Sequence, residues 1–68
     1  MADRRLQVFA TVARLLSFTK AAEALHMTQP AVTFQIRQLE DYFNTRLFDR
    51  THNRISLTSA GRLVKGYS

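Results

Sequence analysis

Apolar residues recur at steps of three and four from the N-terminus to Phe43, and the register of the repeat changes twice. The first repeat covers residues 3–16, the second extends from Phe18 to about His26, and the third continues to about Phe43. This period is typical of amphipathic helices. Ser17 and Thr28 stand before the second and third repeats, and both residue types cap helix N-termini. The pattern predicts three helices.

The apolar faces of these helices predict the core. Pro30 falls in the first turn of the third helix, where its missing N–H is tolerated. Phe18 is expected to fill the joint between the first two helices, and the small side chains of Ala21 and Ala22 let two helices cross closely. The positions expected to face inward are Leu6, Phe9, Val12, Ala13, Leu16, Ala22, Leu25, Met27, Val32, Ile36, Leu39 and Phe43.

After Phe43 the helical period ends. Residues 47–50 and 54–57 are short runs with β propensity, and the polar residues between them favour a turn in which Asn53 suits the left-handed region. Thr58 is then positioned to cap a fourth helix that begins at Ser59. The order helix, helix, helix, hairpin, helix is that of a mainly α, winged helix-turn-helix fold.

Composition limits the classes of function. The chain has 68 residues, which allows one domain, and it has no cysteine, which excludes disulfides, zinc–thiolate sites and thiol nucleophiles. Ten basic residues oppose five acidic ones, giving a net charge of +5, and in the last third Asp49 alone opposes five bases. This excess favours a nucleic acid partner over an anionic membrane surface. A basic domain that is merely soluble is the alternative.

Neither a membrane span nor a secretory signal is visible, so we expect a cytoplasmic protein. An enzyme is disfavoured because no nucleophile–base set, metal cluster or glycine-rich phosphate loop is present, and no cofactor is expected. A protein-interaction module is also possible, and it predicts an exposed apolar patch rather than a basic surface.

Five blocks of sequence resemble a known family. They are LLSFTKAAEAL at 15–25, TQPAVT at 28–33, QIRQLE at 35–40, LFDR at 47–50 and LTSAG at 57–61. In this order and spacing they are similar to the N-terminal DNA-binding domain of LysR-type bacterial transcriptional regulators. One position departs from the family pattern: many members carry Ser-Arg where this chain has Thr33-Phe34, so a donor for guanine or phosphate is missing.

The resemblance implies sequence-specific binding of double-stranded DNA in the bacterial nucleoid, at interrupted inverted repeats. It implies a DNA-binding domain at 1–58 and the start of a dimerising linker helix at 59–68. It also implies a homodimer that assembles further, and a small-molecule effector that binds a domain outside this chain. The linker seam would involve Leu63, Val64 and Tyr67, which could equally pack on the first helix.

The third helix is expected to lie in the major groove and the hairpin, or wing, in the minor groove. The residues predicted to contact bases are Gln29, Pro30, Thr33, Phe34 and Arg54. Gln29 suits adenine, and Arg54 follows the wing turn and suits a narrow A·T-rich minor groove. Phe34 either contacts a thymine methyl or a sugar, or packs against the wing. Gln29 could instead be solvated, Pro30 could serve only to start the helix, and a wing charge could protect a strand edge.

A second set is predicted to contact phosphates. It consists of Thr19, Lys20, Thr28, Arg37, Arg50, His52 and Asn53. Thr28 could act purely as a cap, and Thr19 could be no more than a first-turn residue. Arg37 could be a plain surface charge, and His52 a polar turn residue.

Overall fold

The computed structural model describes residues 4–67, with the side chain of Tyr67 left out. The elements are α1 (Arg4–Leu15), α2 (Phe18–Leu25), α3 (Gln29–Phe43), β1 (Phe48–Thr51), β2 (Arg54–Leu57) and α4 (Ser59–Tyr67). The predicted order of elements is confirmed, and each predicted boundary that the structure describes lies within one residue of the observed one. The predicted start of the first helix at residue 3 lies outside the described residues, as does the side chain of Tyr67 in the expected linker seam.

Side-chain caps fix the starts of three helices, as the sequence predicts. The Ser17 hydroxyl accepts from the Lys20 backbone N–H at 3.1 Å, and the Thr28 hydroxyl accepts from the Ala31 N–H at 3.2 Å. Thr58 caps α4 in the same way. Local backbone conformation also sets the C-terminal ends of α2 and α3. The residues that follow these helices, His26 and Asn44, adopt left-handed conformations with φ of 56°.

The core lies where the first three helices meet, since each of them contacts the other two. Phe9 of α1 and Leu39 of α3 are fully buried, and Ala21 of α2 is fully buried where the helices approach closely. Phe18 is 6% exposed, which confirms its predicted place at the joint. The buried members of the core are Val8, Phe9, Val12, Ala13, Phe18, Ala21, Ala22, Val32, Ile36, Leu39, Leu47 and Phe48.

Two predicted core positions are wrong. Leu16 is 46% exposed because α1 ends one residue earlier and the backbone at Leu16 turns left-handed, with φ of 50°. Phe43 is 40% exposed because it is the last residue of α3, beyond the point where Leu39 meets the core. Leu47 and Phe48, which enter from the wing, are buried instead.

The wing is a two-stranded antiparallel hairpin. Thr51 pairs with Arg54, so the loop is the two residues His52 and Asn53, with φ of 53° and 62°. Two successive left-handed residues match the right-handed twist of the flanking strands, which is why such loops are common in hairpins. The left-handed preference predicted for Asn53 is confirmed, and His52 shares it.

The base of the wing is fixed to the helices by polar and aromatic contacts. The Glu40 carboxylate of α3 accepts from the Leu47 backbone N–H at 2.9 Å. The Thr58 hydroxyl donates to the Arg46 carbonyl at 2.6 Å. The Phe48 ring lies 5.3 Å from the Phe9 ring and 5.9 Å from the Phe18 ring, between centroids. The wing is therefore oriented relative to the three helices by contacts at its base, which include the first residue of β1.

Candidate nucleic-acid interface

The helix α3 has a clear inner and outer side. Val32 and Ile36 are buried, whereas Gln29 and Arg37 are exposed and Thr33 is half-buried. The face predicted from periodicity is therefore the one that the structure presents to solvent. A rigid helix with a free polar face is suited to enter a groove of a nucleic acid duplex.

Three neighbouring recesses mark this surface. The first lies between α3 and β1, and the second between the start of α2 and the wing. The third lies on the exposed side of α3 itself. The first recess includes Gln29, Thr33, Arg37, Arg46 and Arg50 in its lining. The second includes Ser17, Thr19, Gln29, Arg50, His52, Asn53 and Arg54. The third is lined by Gln29, Pro30, Thr33, Phe34 and Arg37.

Gln29 lines all three recesses, so the start of α3 is the junction between helix and wing. Ten of the twelve residues predicted as contacts line at least one of them. Lys20 and Thr28 do not. Lys20 is exposed in the first turn of α2, and the Thr28 hydroxyl accepts the Ala31 N–H, so its structural role as a cap is confirmed.

Arg50 is held against the helical core. Its guanidinium carbon lies 4.4 Å from the centroid of the Phe18 ring, within the range of a cation–π contact. Because Phe18 opens α2 and Arg50 lies in β1, this contact connects the two sides of the second recess. It places a permanent positive charge next to the start of α2.

Arg46 was not among the residues predicted from the sequence to contact DNA. It lines the first recess together with Arg37 and Arg50. Its guanidinium donates to the Phe48 carbonyl at 3.2 Å, and its Nε lies 3.6 Å from the Glu40 carboxylate. The side chain is nonetheless 70% exposed, so the ion pair leaves the charge accessible. Its position in the basic last third of the chain was the one indication of such a role.

The charge on the outer face of α3 changes sign along the helix. Arg37 lies just past its middle, whereas the exposed Asp41 follows one turn later and lines the same recess. Because a carboxylate repels phosphate, the surface suited to a polyanion is the part of α3 from Gln29 to Arg37 together with the adjoining wing.

Phe34 is 58% exposed, and the recess that it lines contains only residues of α3. Packing against the wing therefore does not account for this residue.

Within residues 4–67, no helix combines the length and the apolar character that a membrane crossing requires.

Comparisons with known proteins agree with this description. Residues 4–62 match a family described as bacterial regulatory helix-turn-helix protein, lysR family. The RuBisCO operon transcriptional regulator of Allochromatium vinosum is 54% identical over 65 residues, which cover 96% of this chain and 22% of that protein.

Two solved structures show the same fold. A transcriptional regulator of the LysR family from Eggerthella lenta superposes with a TM-score of 0.94 and 40% identity, covering 98% of this chain and 96% of that one. The BenM DNA-binding domain in complex with catB site 1 DNA superposes with a TM-score of 0.91 and 34% identity, covering 98% and 74%. The chain spans about a fifth of the length of the curated relatives it matches.

Proposed function

Because the chain belongs to the LysR family of bacterial regulatory helix-turn-helix proteins, we propose that it binds double-stranded DNA in a sequence-specific manner and so directs a transcriptional regulator to its sites. The observation that carries the proposal is the junction at Gln29, where the exposed start of α3 meets a wing rich in arginine. A related domain of the same fold is solved as a DNA complex.

The geometry supports different contacts for α3 and for the wing, with α3 in the major groove and the wing in the minor groove. A helix fits the major groove, where each base pair presents a distinct pattern of donors and acceptors. The wing turn at His52 and Asn53 lines one recess together with Gln29 and Arg54, which supports a contact of Arg54 with the adjoining minor groove. Such an arginine favours narrow A·T-rich grooves, where the negative potential is deepest.

Base contacts are assigned to the first half of α3 and to the wing tip. Gln29 has both an amide donor and a carbonyl acceptor, as bidentate pairing with adenine requires. Thr33 follows one turn later and offers a hydroxyl to a base or a phosphate. Pro30 and Phe34 supply the apolar part of this surface.

Phosphate contacts are assigned to the residues around these. Arg37 and Arg50 supply charge on either side of the first recess, to which we add Arg46. The remaining members are Thr19, Lys20, Thr28, His52 and Asn53. The start of α3 contributes its positive dipole, so Thr28 acts by holding that helix end in place.

The assembly of the complete protein is part of the proposal. We infer that α4 begins a linker helix that pairs two such domains on an interrupted inverted repeat, and that further pairing gives higher oligomers. In that arrangement residues 1–58 form the DNA-binding domain and residues 59–68 begin the linker. An effector would bind a part of the protein outside this chain, and the protein would act in the cytoplasm at the nucleoid.

Selection from random duplexes followed by fluorescence anisotropy tests the function. We expect enrichment of one half-site sequence and a steep loss of affinity with salt, with a log–log slope of roughly −5 if about six phosphates are neutralised. A slope near zero, or no enriched sequence, would contradict the proposal.

Two substitutions separate base contacts from phosphate contacts. Gln29→Ala should relax preference at one base position and cost about 1–3 kcal/mol on the selected site. Arg37→Ala should weaken all duplexes alike. Gln7→Ala and Arg14→Ala are matched controls, because both residues are exposed on the α1–α4 side of the chain. If Arg37→Ala changed the base preference while Gln29→Ala did not, the assigned roles would be wrong.

A further inference from the structure

We infer that Phe34, together with Pro30, contacts the methyl group of a thymine, so that each half-site contains one thymine whose methyl group is required for full affinity. This inference rests on the proposed function and specifies one feature of the DNA sequence that the domain recognises. It starts from an exposed aromatic side chain that the fold does not explain.

Phe34 contributes nothing visible to the core. It is 58% exposed, and its recess contains no residue of α1, α2 or the wing. An exposed phenylalanine in water leaves most of its apolar surface hydrated, which favours a partner that covers it. The position of the ring therefore indicates a contact outside the chain.

The neighbours of Phe34 define what that partner is. Pro30 lies one helical turn before Phe34 on the same side of α3, and both are exposed. Gln29 and Arg37 border the same recess. Two apolar groups flanked by a hydrogen-bonding amide and a cation match a base edge next to a phosphate. They match a protein partner poorly, because a stable protein interface buries on the order of 1,200 Å² or more.

Among the groups that base edges present in the major groove, one matches the Phe34 side chain. Phenylalanine has no hydrogen-bond donor or acceptor, so it cannot satisfy the polar atoms of guanine, cytosine or adenine edges, nor a phosphate. The C5-methyl of thymine is the apolar group that base edges present in that groove. Since Phe34 is in the first half of α3, it belongs to the part of the helix that approaches base edges.

Deoxyuridine substitution tests this contact directly, because it removes the methyl group and leaves base pairing unchanged. Each thymine of the selected half-site is replaced in turn, and affinity is measured by fluorescence anisotropy with the 68-residue chain. We expect one replacement to weaken binding by about four-fold, the effect of losing one buried methyl group. The Phe34→Ala variant should bind more weakly than the unmodified chain and lose most of its response to the same replacement, since only the Pro30 contact with the methyl group remains.

Tyr42→Ala is the matched control. Tyr42 is an aromatic residue on α3 that is 65% exposed, but it lies near the other end of the helix. This variant should keep the response of about four-fold to deoxyuridine, and circular dichroism should show that both variants retain the helical fold. Because both side chains are exposed, loss of folding is not expected for either.

The outcomes distinguish this inference from the proposed function. If no duplex is bound specifically, the proposed function fails and this inference fails with it. If duplexes are bound specifically but no deoxyuridine lowers affinity, this inference alone is overturned. It is also overturned if Phe34→Ala retains the full response, because Phe34 would then contribute nothing to the contact with the methyl group.

Discussion

Replacing Gly61 by alanine tests how closely α4 approaches the wing. A Cβ atom at Gly61 would lie 2.2 Å from the Leu47 carbonyl oxygen and 2.9 Å from the Leu57 Cδ2 atom. Ordinary contact begins at 3.4 Å, so α4 and the segment at Leu47 would have to separate. The Leu47 carbonyl also accepts the Thr58 N–H at 3.1 Å, and the Leu47 N–H donates to Glu40, so this segment is bound on both sides.

The expected cost follows from two opposing terms. Overpacking against backbone costs about 3 kcal/mol, the upper part of the usual range, because a carbonyl cannot rotate away as a side chain does. Alanine gains about 1 kcal/mol over glycine in helix propensity. The net loss in the free energy of unfolding is about 2 kcal/mol, which lowers the Tm of a domain of this size by roughly 8–16 °C.

Gly66 provides the matched control, since the chain has two glycines and both lie in α4. A Cβ atom at Gly66 meets no atom within 4 Å. Gly66→Ala should therefore raise stability, by up to about 1 kcal/mol, through propensity alone. Thermal and urea unfolding followed by circular dichroism measure both variants. If Gly61→Ala raised the Tm as Gly66→Ala does, the close approach of α4 to Leu47 would be refuted.

Two further predictions concern the wing. Thr58→Val removes the hydrogen bonds of the hydroxyl group with Gly61 and Arg46, so the free energy of unfolding measured in urea should fall by about 1–2 kcal/mol. Thr58→Ser keeps the hydroxyl group and should stay near the original value. Equal losses in the two variants would contradict the capping role. Arg50→Gln removes the contact with Phe18, which is worth about 0.5–1 kcal/mol at an exposed site. It should also reduce the salt slope of DNA binding by about 1, and an unchanged slope would rule out the phosphate contact.

Much of the candidate interface was predictable because it depends on local properties of α3. The period of Val32 and Ile36 fixes which side of the helix is buried, and Gln29 and Arg37 are then exposed as a geometric consequence. The cap at Thr28 fixes where the helix begins. The sequence could not show that Arg46 belongs to this surface, since the recess that it shares with Arg37 depends on how the wing is attached to the helices.

The sequence by itself determined the helices, the hairpin turn and the outward face of α3, because periodicity, capping and left-handed turn residues act over a few positions. The tertiary structure alone decided that Leu16 and Phe43 are exposed and that Leu47 and Phe48 complete the core. It also decided that Gly61 has no room for a side chain. The exposure of Leu16 and Phe43 follows from where α1 and α3 end relative to the core. The burial of Leu47 and Phe48 and the lack of room at Gly61 depend on contacts between residues distant in the chain, which no local pattern records.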